Sequence, residues 1–238
     1  MKVTFIEHSG FMVEMEQNVL LFDYYQGEIP SFDGSKTLYV FASHSHADHY
    51  DPVIFGMGEK RENVFYILSK EIGKKIPEEY RKRYKDRIRL VKAGERFCLN
   101  ISEESLIVET FHSTDEGVAF WLSCEGKEIY HAGDLNNWWW EGEDMAWNRN
   151  MAASYKQEMK KLSGRTADLA FIPVDPRQEQ WFYLGAAGFM EQADTKWIFP
   201  MHFWEDYTII PKLIEHPSSE GWRDRIVEIH KEGEEFIR

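Results

Sequence analysis

Short runs in which apolar and polar residues alternate open the chain at residues 4–6 (TFI), 11–15 (FMVEM) and 18–22 (NVLLF). Period-two alternation marks strands, and the turns at Ser9-Gly10 and Gln17-Asn18 predict that these three form an antiparallel meander. Residues 38–41 are apolar throughout, the pattern of a buried strand, and lead directly into a histidine-rich loop. Residues 63–68, 88–91, 105–111, 118–123 and 128–131 carry further strand patterns, and Glu125-Gly126-Lys127 is a hairpin turn between the last two.

From residue 144 to 162 the period changes. Met145, Trp147, Met151, Tyr155, Met159 and Leu162 recur at helical spacing, with acidic residues before them, lysines near the end and Gly164 as a stop. A strand at 169–172, a helix at 185–192, a strand at 197–199, a helix at 206–215 and closing strands at 226–229 and 236–237 follow. Two half-chains that each give strands and then helices predict an α/β fold of two face-to-face sheets with helices outside, a four-layer αββα sandwich. No linker or low-complexity segment interrupts the 238 residues. One domain over residues 1–238 is expected, since the one candidate boundary, near Gly133, is crossed by the site described below.

Composition narrows the function. With 43% hydrophobic and 15% aromatic residues, the chain can bury a sizeable core without crosslinks. A net charge of −13, from 41 acidic and 28 basic residues, repels phosphate backbones, so long nucleic acid is not an expected partner. The most basic stretch, residues 74–89, mixes in Glu78, Glu79 and Asp86 and reads as a solvated helix and turn. Cys98 and Cys124 lack the paired spacing of a thiolate metal site and read as buried thiols. No apolar run approaches the roughly 20 residues needed to span a bilayer, and the opening alternates where a signal peptide would be apolar. A soluble, cytoplasmic protein is expected, of unspecified oligomeric state.

The chemistry begins at Ser43-His44-Ser45-His46-Ala47-Asp48-His49, of the form H-x-H-x-D-H. With 9 histidines in the chain, this spacing arises by accident in fewer than about one chain in a thousand. Imidazoles on alternate residues of an extended loop point the same way and can grip one cation, while the aspartate and next histidine offer donors to a neighbouring one. Three more residues each follow a predicted strand: His112, Asp134 in YHAGD, and His202 in FPMHFWED.

This ordered set, H-x-H-x-D-H, then His, then Gly-Asp, then His, resembles the metallo-β-lactamase fold superfamily over nearly the whole chain, including an early aspartate, Asp23, in LLFDYY. The opening EHSGFMVEM and the late IPVD and FPMHFWED segments look most like the branch of ascorbate-6-phosphate lactonase and related metal-dependent hydrolases. The resemblance implies that His44, His46 and His112 hold one metal, that Asp48, His49 and His202 hold a second, and that Asp134 bridges them. It implies two divalent ions, zinc by default, with manganese or iron as alternatives. Two such ions about 3.5–4 Å apart share a water, lower its pKa and deliver hydroxide to a carbonyl or phosphorus. The expected function is hydrolysis of a small-molecule ester, lactone or phosphodiester. A tRNA-processing type of nuclease and an iron-dependent redox protein are the alternatives on the same fold.

Asp48 is assigned a second role in orienting the hydroxide, and Asp23 is expected to hold the ligand loop or to cap a turn. His8, in Glu7-His8-Ser9-Gly10, is the candidate proton donor to the leaving group, or else a turn histidine. His131 reads as core or as support for the ligands, and His216 and His230 as surface residues. Trp138, Trp139, Trp140 and Trp147 stand too close together for all to face one core, so that at least one covers the cleft or all seal the following helix. Arg177, after a strand in PVDPRQ, is placed to bind a substrate anion or to form a rim salt bridge.

Overall fold

A computed structural model describes residues 1–101 and 105–238. Its first sheet has the order β13-β1-β2-β3-β4-β5-β6. The strands are β1 (Lys2–Glu7), β2 (Gly10–Glu14), β3 (Asn18–Phe22), β4 (Thr37–Ala42), β5 (Val64–Ser69), β6 (Ile88–Val91) and β13 (Glu235–Ile237). The second sheet runs β12-β11-β10-β9-β8-β7, from β7 (Arg96–Leu99), β8 (Leu106–His112), β9 (Val118–Cys124), β10 (Lys127–His131), β11 (Thr166–Pro173) and β12 (Asp194–Met201). The expected meander is present as antiparallel β1-β2-β3, and β3 to β6 then pair in parallel.

Side-chain alternation makes the layers. In β3 and β4, Leu20, Phe22, Tyr39 and Phe41 enter the core between the sheets, while Val19, Leu21, Leu38 and Val40 enter a second core behind the first sheet. A strand covered on both faces has no solvent side, which is why residues 38–41 read as a continuous apolar run. The second core is closed by α1 (Met57–Lys60), α2 (Glu78–Arg83) and the turn before α1, through Ile54, Phe55 and Tyr84. Outside the second sheet lie α3 (Met145–Lys160) and α4 (Leu184–Gln192), with Tyr155, Met159 and Phe189 buried. α5 (Ile209–Glu215) completes the helices. The αββα sandwich is the fold. No helix among the described residues is long and apolar enough to cross a membrane.

Three expectations need correction. Residues 226–229 do not form a strand; only a parallel bridge from Ile226 to Ile198 forms, extended by the Val227 N–H on Ile198 O at 2.8 Å. β7, the strand-like segment around Cys98, is an edge strand whose bounds the pattern did not give, because its residues are only exposed or half-buried. Cys98 lies on it and is exposed, whereas Cys124 is buried as expected. In the basic stretch, Arg81 and Arg87 bond backbone carbonyls nearby and Arg83 pairs with Glu59, so these charges serve local structure.

The loop after β4 is clamped by two glycines of the second sheet. Gly117 has φ +73°, and a Cβ there would stand 2.0 Å from Ser43 O and 2.6 Å from His44 Cβ. Gly133 has φ +51°, and its Cβ would stand 2.6 Å from that of Ser43. Only glycine permits this conformation and this approach together. Gly94, at φ +79° with nothing within 4 Å of its Cβ, isolates the conformational part. Gly94→Ala should cost about 1–2 kcal/mol, and Gly117→Ala should lower the melting temperature clearly more and weaken metal binding. Equal melting temperatures for the two variants would show that the clamp is not needed.

Candidate metal centre

Strand ends supply the donors. β4 delivers His44, His46, Asp48 and His49, the turn after β1 delivers His8, the turn after β10 delivers Asp134 and the end of β12 delivers His202. Two groups of donor atoms form, each within 4.8 Å of one another: His8, Asp48, His49 and His202, and next to it His44, His46, Asp115 and Asp134. Asp134, a member of the second group, also reaches toward the first. Its Oδ2 lies 3.5 Å from His44 Nε2, and its Oδ1 lies 3.3 Å from His49 Nε2 and 3.5 Å from His202 Nε2.

Several imidazoles are tied by one nitrogen and present the other. His49 Nδ1 donates to Asp23 Oδ2 at 2.8 Å, and His202 Nδ1 to Asp175 Oδ2 at 2.9 Å. His44 Nδ1 lies 2.9 Å from Ser43 Oγ, whose hydroxyl donates to Asp23 Oδ2 at 2.6 Å. Such outer partners fix tautomer and ring direction. The inner atoms His8 Nε2, His49 Nε2 and Asp134 Oδ1 are buried and have no hydrogen-bond partner. Buried polar atoms are seldom left unpaired, and donors of this type, number and convergence fit divalent cations. The strain agrees, since His8, Asp23, His202 and Trp204 hold φ between 41° and 63°. Left-handed backbone at such residues costs on the order of 1–3 kcal/mol each and persists only where the surroundings impose it.

Charge at the centre is arranged for a cation. Burial would lower the His49 imidazole, but the carboxylates of Asp134 and Asp23 overcome it and raise it to about 9. Burial and the neighbouring His49 push His44 down to about 3, leaving a neutral ring available as a ligand. Burial would raise the Asp23 carboxyl, yet the His49 hydrogen bond and the nearby His131 and His44 hold it at about 2. Asp175 is likewise held at about 2 against burial, by His202 and Arg177. The His8 imidazole is lowered by burial although Asp48 Oδ2 lies 3.4 Å away, which disfavours it as a store of a proton near neutral pH.

The structure departs from the expected donors at His112. β8 carries His112 out toward α3, where its N–H meets Glu158 Oε2 at 3.2 Å, and its ring is exposed and outside both groups. Asp115, three residues on, stands with His44, His46 and Asp134 instead. His131 is core, as expected. It stacks on Phe22 at 4.8 Å, accepts the Gly133 N–H at Nδ1 and bonds Ser9 O through Nε2.

Above the donors is a cavity of about 340 Å³, lined in part by Trp138, Trp140, Trp147, Trp204 and Arg177. Trp138 stacks on Trp140 at 5.7 Å and donates its indole N–H to Asp134 O at 3.0 Å, tying the aromatic wall to the shared carboxylate. Trp139 turns away onto Trp181. Arg177 grips both oxygens of Asp175 and lies 4.6 Å over the Trp204 ring, so a rim salt bridge forms at the cavity wall.

Asp23→Asn keeps the volume but removes the charge that orients His49 and Ser43. Metal affinity measured by chelator competition should fall about 10–100-fold. Unchanged affinity would mean that the buried carboxylate does not support the ligands.

The model of the beta-lactamase superfamily domain matches residues 2–202. The chain is 23% identical over 194 residues to a UPF0173 metal-dependent hydrolase of Alkaliphilus metalliredigens (strain QYMF), covering 73% of each. Its fold is similar to that of Igni18, a metallo hydrolase of Ignicoccus hospitalis KIN4/I, with a TM-score of 0.64 at 15% identity over 99% of this chain and 97% of that one. It is also similar to the diiron beta-hydroxylase CmlA of Streptomyces venezuelae, with a TM-score of 0.58 at 11% identity over 96% of this chain and 52% of that one. With donors on strand ends of an αββα sandwich and the family match spanning both sheets, the chain belongs to the beta-lactamase superfamily.

Proposed function

We propose that the chain is a two-metal hydrolase, built on a single domain, that cleaves a small-molecule ester, lactone or phosphodiester. The observation that carries this reading is the convergence of three unpartnered buried donors, His8 Nε2, His49 Nε2 and Asp134 Oδ1, beside a cavity of about 340 Å³. When bound, two divalent ions, zinc by default and manganese or iron otherwise, supply Lewis acidity and lower the pKa of water. Asp134 is the shared ligand. Asp48 adds a carboxylate to the inner group and is placed at the cavity to orient the attacking water by accepting a hydrogen bond from it. Its carboxyl is held well below the usual range, because the nearby imidazoles of His8, at 3.4 Å, and His49 outweigh burial. Burial lowers the His8 imidazole, which favours its neutral ring as a donor atom of the inner pocket over a role as proton donor to the leaving group.

The cavity volume sits at the low end of small-molecule sites. Its aromatic wall suits a planar or apolar group beside the scissile bond, and the net charge of −13 disfavours a polynucleotide. Arg177 is already committed to Asp175, and this favours lactones and esters without a phosphate. The similarity to the Alkaliphilus protein, named as a metal-dependent hydrolase, supports the reaction type. The likeness to a diiron beta-hydroxylase keeps iron among the metals to be tested.

Elemental analysis followed by a panel of lactones, thioesters, phosphomonoesters and phosphodiesters tests the reading. Two equivalents of zinc or manganese are expected, with activity on one bond class that falls at least about 10³-fold in Asp134→Ala. Iron with no hydrolysis, or no metal after reconstitution, would overturn it. Trp138→Ala should raise KM for aromatic esters more than for methyl esters, and an equal effect on both would remove the aromatic wall from substrate recognition.

A further inference from the structure

The two donor groups are unequal in chemistry and in exposure. The inner group holds three imidazoles, and the side chains of His8, His49 and His202 are 2%, 0% and 4% exposed. The outer group holds two imidazoles and two carboxylates, and the side chains of His46 and Asp115 are 44% and 45% exposed. His46 Nδ1 lies 3.0 Å from His44 Nε2 and 3.8 Å from Asp115 Oδ2, and its other nitrogen lies 3.6 Å from Glu116 Oε2. His112 takes no part in either group.

We propose that Asp115, and not His112, completes the outer site, and that the outer ion is therefore the harder and more exchangeable of the two. The proposal rests on the two-metal reading and refines it. Exchanging an imidazole for a carboxylate moves a site from the donor set that suits zinc toward the one that suits manganese or magnesium. It also adds negative charge, which any divalent cation compensates equally, so that zinc loses part of its advantage. Solvent access to His46 and Asp115 gives that ion a route for exchange. The inner group reaches solvent only through Asp48, whose side chain is 25% exposed, and its three imidazoles are buried, so exchange there should be slower. Asp115 is itself positioned locally, its N–H donating to Ser113 Oγ at 3.1 Å. Gly117, two residues on, lets this loop close against His44.

The experiment loads the full-length protein with zinc or with manganese, dialyses it against a graded chelator and counts ions by elemental analysis. Manganese spin resonance and the cobalt absorption spectrum serve as independent readouts. Wild type should release one equivalent well before the other, and manganese should compete with zinc at the released site only. Asp115→Ala and Asp115→Asn should weaken the outer ion by more than about 100-fold, beyond the effect usual for a residue that only supports a ligand. Asp115→His should make zinc harder to remove, and His112→Ala should behave as wild type. Circular dichroism checks that each variant is folded.

Loss of the second ion in His112→Ala with Asp115→Ala unaffected would overturn the proposal, as would two ions released together from wild type. Both of these results leave the two-metal reading intact. Failure of wild type to hold a second ion under any loading would overturn that reading as well.

Discussion

The buried carboxylate of Asp23 is the contact on which the centre depends. It accepts the Ser43 N–H at 2.7 Å, the Ser43 hydroxyl at 2.6 Å and His49 Nδ1 at 2.8 Å, and it is wholly inaccessible to solvent. A carboxylate taken out of water costs several kcal/mol unless every lone pair finds a donor. Here the donors are the first residue of the histidine loop and its last histidine. The loop therefore solves the solvation problem of Asp23, and Asp23 fixes both ends of the loop. Ser43 Oγ passes the constraint on to His44 Nδ1, so one carboxylate sets the direction of a ring in each donor group.

That arrangement needs the two sheets to be held in register. The Val118 N–H donates to Ser43 O at 3.0 Å, which joins the start of β9 in one sheet to the end of β4 in the other. The core between them is dense with rings. Phe11 meets Phe171 at 4.6 Å, and Phe41 meets Phe120 at 5.2 Å. Close packing of rigid groups permits little sliding, so the sandwich acts as the frame that keeps Asp134 and His202 opposite the histidine loop. The His202 N–H on His8 O at 3.1 Å closes the frame on the side of β1.

Much of this was legible in the chain. Period-two alternation located most of the strands, because each buries a continuous face, and the helical spacing from Met145 to Leu162 located α3, although its buried apolar residues, Tyr155 and Met159, lie only in its second half. The bounds of β7 and the false strand at 226–229 failed for the converse reason. The residues of β7 are only exposed or half-buried, and the apolar residues Ile226, Val227 and Ile229 are buried in irregular chain with only one bridge. The donor loop was legible from its spacing, and so were Asp134 and His202, because each follows a strand whose end faces the centre. Asp115 was not. In His-Ser-Thr-Asp-Glu-Gly it reads as one more turn acid, and the neighbouring His112 is the more obvious ligand by residue type. The structure groups Asp115, and not His112, with His44 and His46, on a loop after β8 that Gly117 lets close against His44.

The aromatic wall and the acidic surface follow from the same constraint. A centre that carries Asp23, Asp48, Asp115, Asp134 and Asp175 concentrates negative charge, and the chain as a whole is at −13. An anionic substrate would be repelled at long range and could be held only by the ions themselves or by a free cation at the rim. Arg177, the cation at the cavity wall, is bound through Nε and Nη2 to Asp175 and lies over Trp204. Its charge is spent in holding His202 through Asp175. What remains at the cavity wall is the stacked pair of Trp138 and Trp140 with Trp147 and Trp204, surfaces that reward burial of apolar area at about 25 cal/mol per Å² and offer no cation to an anionic group. Under the proposed hydrolase reading, a neutral substrate held by ring contacts is the combination in which none of these features opposes another.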